Sequence, residues 1–139
     1  MEITDGGAPV GPRRWVRTIA LGGGATFLCL GLWAFISPRS FFTSLATFDP
    51  YNIHLLHDIG SFQIGIGTAL VLAAFPARFD GLSSALLGAA AASAVHVVSH
   101  VLDIDLGGSP STDIPILTIL GSVLLVAGAA HTRALRRTS

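Results

Sequence analysis

Charge is scarce in this chain. Its 139 residues carry eight basic and eight acidic side chains, 12% in all, against 51% hydrophobic residues. Together with a mean hydropathy of +0.69, that scarcity excludes an ordinary soluble globular domain. Cysteine is nearly absent. Cys29 stands alone within the first apolar segment, so no disulfide can form within the chain, and it is expected to be a small buried packing residue. Methionine is missing beyond Met1, which disfavours a soft-ligand path for cuprous ions. The strand alternation of a membrane barrel is absent, and so is any repeat of fixed period. Gly22-Gly23-Gly24 lies inside an apolar segment rather than after a strand, so it is no nucleotide fingerprint. The arginines have no accompanying nucleic-acid-binding domain, which removes nucleic acid as a partner. Arg13-Arg14 faintly resembles a twin-arginine signal. However, no small-x-small cleavage site follows, and the apolar run is longer than a usual export signal core.

What remains is apolar sequence gathered into four blocks, Trp15 to Ile36, Asp58 to Phe75, Leu82 to Leu102 and Ile114 to Ala130. Each has about 17 to 22 residues, enough to cross a hydrocarbon core of about 30 Å at a rise of 1.5 Å per residue. Backbone in lipid must satisfy its own hydrogen bonds, so these blocks are helices. The expected fold is all-α, an integral membrane antiparallel four-transmembrane-helix bundle. Its helices are placed at about 15–36, 54–75, 82–103 and 113–131, after a disordered lead over about 1–12; residues 13–139 make one domain. Arg13, Arg14 and Arg17 precede the first helix, Arg78 lies in the second connection, and Arg133, Arg136 and Arg137 end the last. The other two connections hold Asp49, Asp103, Asp105 and Asp113 against Arg39 alone. The positive-inside rule puts both termini in the cytoplasm of a cell whose plasma (inner) membrane the chain spans. Trp15 and Trp33 fall near opposite interfaces. The connection from Ser37 to Asn52, with Phe41, Phe42, Phe48 and Tyr51, is expected to form a short interfacial helix, and Pro50 to start the next element. Thr112 or Asp113 is the expected cap of the last helix, with Pro115 in its first turn. Small residues at Gly22 to Gly24, Gly60, Gly65, Gly67, Gly88 and Ala89 to Ala92 favour close helix approach in lipid.

Four of the five histidines lie in two stretches, His54-Leu55-Leu56-His57-Asp58 and His96-Val97-Val98-Ser99-His100-Val101-Leu102-Asp103. Ionisable groups within membrane segments are costly unless they pair, face a cavity or bind something. The turn between these helices centres between Arg78 and Phe79. Residues whose numbers add to about 157 therefore share a depth, within one turn. That rule faces His57 with His100 and His54 with Asp103, and sets Ser61 level with His96. His54, His57, Asp58, Ser61, Gly65 and Thr68 share one helical face, as do Ser93, His96, His100 and Asp103. Imidazole and carboxylate suit a divalent transition metal such as zinc, iron or copper. The metal candidates are His54, His57, His96, His100 and Asp103. Asp58 is a ligand, a second acceptor behind a ligand, or a catalytic general base. The same residues could instead satisfy one another, with His96 bonded to Ser61 or Ser93. Haem would need an opposed pair such as His57 and His100. Gln63 points away from the histidine face and is expected to bond between helices, and His131 suits a helix C-terminus without a site role.

Pro50-Tyr51-Asn52-Ile53-His54-Leu55, with Asp58, Gly60, His96 and His100, resembles a group of small four-helix membrane proteins of high-GC actinobacteria, loosely DoxX-like. The resemblance runs from the outer end of helix one through helix three. It implies the four-helix architecture and favours His54, Asp58, His96 and His100 as the functional set. It implies no reaction. The chain departs from the group at His57, where arginine is usual, and at Asp103, where a third histidine is usual.

Three functions stay open on the sequence. One is a membrane metalloprotein with its site towards the extracytoplasmic side, acting as an enzyme on a lipid, quinone or small apolar molecule. The second is a non-catalytic accessory subunit, in a homo-oligomer or larger membrane complex, whose His/Asp cluster is structural or pH-sensing. The third is a haem-binding electron-transfer protein.

Overall fold

The computed structural model describes residues 14–45, 50–106 and 109–138. The expected N-terminal lead lies outside them, as do Phe48 and Asp49. Five helices make up the described chain: α1 (Arg14–Ile36), α2 (Pro38–Ser44), α3 (Ile53–Ala73), α4 (Gly81–Leu102) and α5 (Pro110–Thr138). The four long ones are long and apolar enough to cross a membrane, and no strand occurs among the described residues.

The helix starts follow from local capping. The Asn52 side chain accepts the Leu55 backbone N–H at 3.1 Å, so α3 is capped by Asn52 rather than started by Pro50. Asp80 caps α4 in the same way, accepting from Ser83 N–H at 2.7 Å. The fifth helix begins earlier than expected. Pro110 occupies its first turn, where a missing N–H costs nothing, and Asp113 reaches back to accept the Ser109 N–H at 2.8 Å. Pro115 consequently sits inside the helix. The short α2 carries Pro38 at its start and buries Phe41 against Ala34 and Leu56, with Leu30, Phe42 and Tyr51 around them. Trp33 meets Phe41 edge-on at 5.4 Å.

Packing depends on glycine. A Cβ at Gly31 would meet the Gly60 carbonyl oxygen at 2.9 Å, and one at Gly67 would meet the Gly24 oxygen at 2.8 Å. The two pairs are seven residues apart on each helix, the spacing that keeps one seam facing a neighbour along its length. On the other side of α3, Gly65 lies against Ala92 and Gly88, and Gly88 against Ala69. Gly121 and Gly128 of α5 lie against Ser93 and Leu87 of α4. In each seam the pairing runs backwards along the second helix, so neighbouring long helices point in opposite directions.

The contacts form a row: α1 on α3, α3 on α4, α4 on α5, with α2 touching α1 and α3. No Cα pair of α1 and α5 comes within 8 Å among the described residues. Helices α3 and α4 carry small residues on two faces and so accept two neighbours. Helix α1 carries them on one, and its other side shows Trp15, Ile19, Phe27, Leu32 and Ile36. Two expectations fail here. Cys29 is exposed on that outer side rather than buried, because the α1 seam passes through Gly24 and Gly31. Gln63 packs against Gly31, and its buried side-chain oxygen has no hydrogen-bond partner among the described residues rather than an interhelical bond.

Candidate metal centre

The start of α3 and the end of α4 meet at one end of the helix row. Capping by Asn52 places His54, His57 and Asp58 in the first two turns of α3. Helix α4 closes at Asp103, whose N–H bonds back to the Ser99 carbonyl at 2.9 Å. The antiparallel register then sets His54 beside Asp103 and Asp58 beside Ser99.

Asp103 is 3% exposed and accepts on a single oxygen, Oδ2, from two imidazoles: His57 Nδ1 at 2.7 Å and His54 Nδ1 at 3.1 Å. A carboxylate can only accept, so both Nδ1 atoms carry the proton. His57 is buried, with its ring 4.9 Å from that of Phe35. In a neutral His54, Nε2 then holds a lone pair.

A second acceptor lies beside that nitrogen. His54 Nε2 lies 3.6 Å from Asp58 Oδ2. The other carboxylate oxygen, Asp58 Oδ1, accepts a hydrogen bond from Ser99 Oγ at 3.1 Å and has His96 Nε2 at an ion-pair distance of 3.1 Å. His100 completes the group: its ring meets His54 edge-on at 5.0 Å and stacks on His96 at 4.9 Å. One ligand atom each from His54, Asp58 and His100 lie within 4.8 Å of one another, so these three could hold a metal ion. Nitrogen and oxygen donors from two imidazoles and a carboxylate fit a divalent transition metal.

All six residues singled out in the sequence therefore lie in one layer, in unequal positions. His54, Asp58 and His100 form the group with metal-binding geometry. Asp103 and His57 stand behind His54, and His96 and Ser99 hold Asp58. His96 Nε2 lies 3.1 Å from Asp58 Oδ1 as an ion-pair contact, while the Ser61 and Ser93 hydroxyls turn back to the His57 and Ala89 carbonyls of their own helices. Thr68 does the same towards Ile64.

Two participants escaped the sequence reading. Ser99 lies on the same depth register as Asp58, and applying that rule to Asp58 would have found it. Asp113 enters from α5, with Oδ2 at 4.0 Å from His100 Nδ1. The α3–α4 register could not reach it.

At the opposite end of the row, His131 Nε2 meets Asp80 Oδ2 at 2.8 Å, tying α5 to the cap of α4 rather than simply closing a helix. The Ser83 backbone N–H and then the His131 contact lower the Asp80 carboxyl from 3.8 to about 2. No protein family, curated protein or solved structure matches this chain.

Proposed function

We propose that the protein is an integral membrane metalloprotein that binds a divalent transition metal (zinc, iron or copper) through His54, Asp58 and His100. The observation that carries this is the facing of two acceptors. With His54 Nδ1 committed to Asp103, its Nε2 and Asp58 Oδ2 stand 3.6 Å apart and need a shared cation or an extra proton between them. The supporting contacts match the way metal-ligating histidines and carboxylates are oriented by partners behind them.

The arginine distribution supports cytoplasmic termini and a site in the outer half of the plasma (inner) membrane. Three protein ligands leave a coordination position for water or dioxygen, and the surrounding bilayer makes a lipid, a quinone or a small apolar molecule the natural substrate class. The actinobacterial, loosely DoxX-like resemblance belongs to the same proposal, since it selects His54, Asp58 and His100 among its residues.

Elemental analysis of detergent-purified protein after metal-replete expression tests the proposal. About one transition metal per chain in the wild type, lost in His54→Ala/His100→Ala, is expected. A metal-free wild type would favour a second reading, a non-catalytic subunit whose cluster responds to pH. The close approach of the His100 ring to His54, edge-on at 5.0 Å, and to His96, stacked at 4.9 Å, supports that alternative, because positive charge on these rings would set like charges together.

A further inference from the structure

Resting on the metal-binding reading, we infer that Asp113 of α5 is the positioning residue of His100, and that it draws the fifth helix into the site. His100 is 8% exposed, and its Nδ1 is buried without a hydrogen-bond partner among the described residues. Buried ring nitrogens left in this state are rare in folded proteins and call for an explanation. His54 and His96 face the His100 ring from α3 and α4, and both are imidazoles. Asp113 brings a carboxylate to it from α5, with Oδ2 4.0 Å from Nδ1. That separation is about 1 Å too long for a hydrogen bond.

With a cation on Nε2 of His100, the proton would lie on Nδ1 and that N–H would become a stronger donor in need of an acceptor. Asp103 already serves His54 Nδ1 in this way at 3.1 Å. Asp113 then does for the second ligating histidine what Asp103 does for the first. Its carboxylate sits in the first turn of α5, where it also accepts the Ser109 N–H at 2.8 Å. Closing the 4.0 Å gap therefore moves the start of α5 towards α4. Of the four long helices, α5 has the smallest buried share, so it can shift with the least repacking.

The test is Zn²⁺ and Co²⁺ affinity of the full chain in detergent, by competition with a chelator, for wild type, Asp113→Asn, Asp113→Ala and Asp105→Asn. Asp113→Ala is expected to weaken binding about 10- to 100-fold. Asp113→Asn, which keeps an acceptor for Ser109, should lie between it and the wild type, and the exposed Asp105→Asn should match the wild type. The Co²⁺ absorption bands should shift in both Asp113 variants. A purely structural cap would not produce that shift. Wild-type affinity and unshifted bands in both Asp113 variants would overturn the inference while leaving the metal site standing. Affinity losses that only track a lower melting temperature of the metal-free variants, with unshifted bands, would overturn it too. A wild type that binds neither ion would overturn the metal reading and this inference together.

Discussion

Asp103 accepts two imidazole N–H groups on one oxygen while 3% exposed, so its removal strands His57 with a buried, unpaired donor. Asp103→Ala is expected to cost about 1–3 kcal/mol of unfolding free energy. Asp103→Asn, which keeps an acceptor, should cost less; denaturation in detergent reads both. At the other end, Asp80 has its carboxyl lowered to about 2 by the Ser83 N–H and His131. A lowered carboxyl contributes stability above its ordinary value of 3.8 and loses it as pH falls towards the lowered value. Asp80→Asn should therefore melt below the wild type at pH 6. The gap should narrow below about pH 4 and close near pH 2. A gap independent of pH would contradict that assignment. Much of this was legible in the sequence. The depth register brought His54 to Asp103 because both lie on the facing sides of one short hairpin. It missed His96–Asp58 because depth alone does not fix rotation about the helix axis, and His96 reaches Asp58 from one turn away. Asp113 was out of reach because it belongs to a different helix pair.

Helices in lipid gain little from burying apolar surface, so close approach has to come from shape. The α1–α3 seam meets at Gly31–Gly60 and Gly24–Gly67, where an added Cβ would lie 2.8–3.1 Å from carbonyl oxygens. Gly31→Ala is expected to destabilise by about 1–3 kcal/mol through overpacking. Gly22 has nothing within 4 Å of its would-be Cβ, so Gly22→Ala should be neutral or stabilise by up to about 1 kcal/mol through helix propensity. Equal effects from both would contradict the seam. The sequence showed the glycine run at 22–24 but not which member works. Composition marks a small residue, whereas the seam depends on the seven-residue spacing from Gly24 to Gly31. Cys29 was misjudged for the same reason: only the seam's position shows that it faces outward. The start of α5 lies before the expected cap at Thr112 or Asp113, because Asp113 is already inside the first turn. From there it reaches back four residues to Ser109.

Across the whole molecule, four apolar helices make a row with the His/Asp layer at one end and the Asp80–His131 contact at the other. If the arginines set orientation, the His/Asp layer faces the outer side and the Asp80–His131 end the cytoplasm. With Cys29 replaced by alanine, Asp105→Cys should react with an impermeant maleimide on intact cells, and Ala77→Cys, in the α3–α4 turn, only after lysis. The reverse pattern would place the His/Asp layer on the cytoplasmic side. The row was not legible, because short loops predict which helices are neighbours but not whether the first and last close the ring. The measurement that bears most directly on the proposed function is X-ray absorption of the zinc-loaded protein in detergent. Two imidazoles and carboxylate oxygen at about 2.0–2.2 Å are the expected ligands, with one imidazole lost in His54→Ala. A shell of oxygen alone, unchanged in that variant, would contradict a centre built from His54, Asp58 and His100.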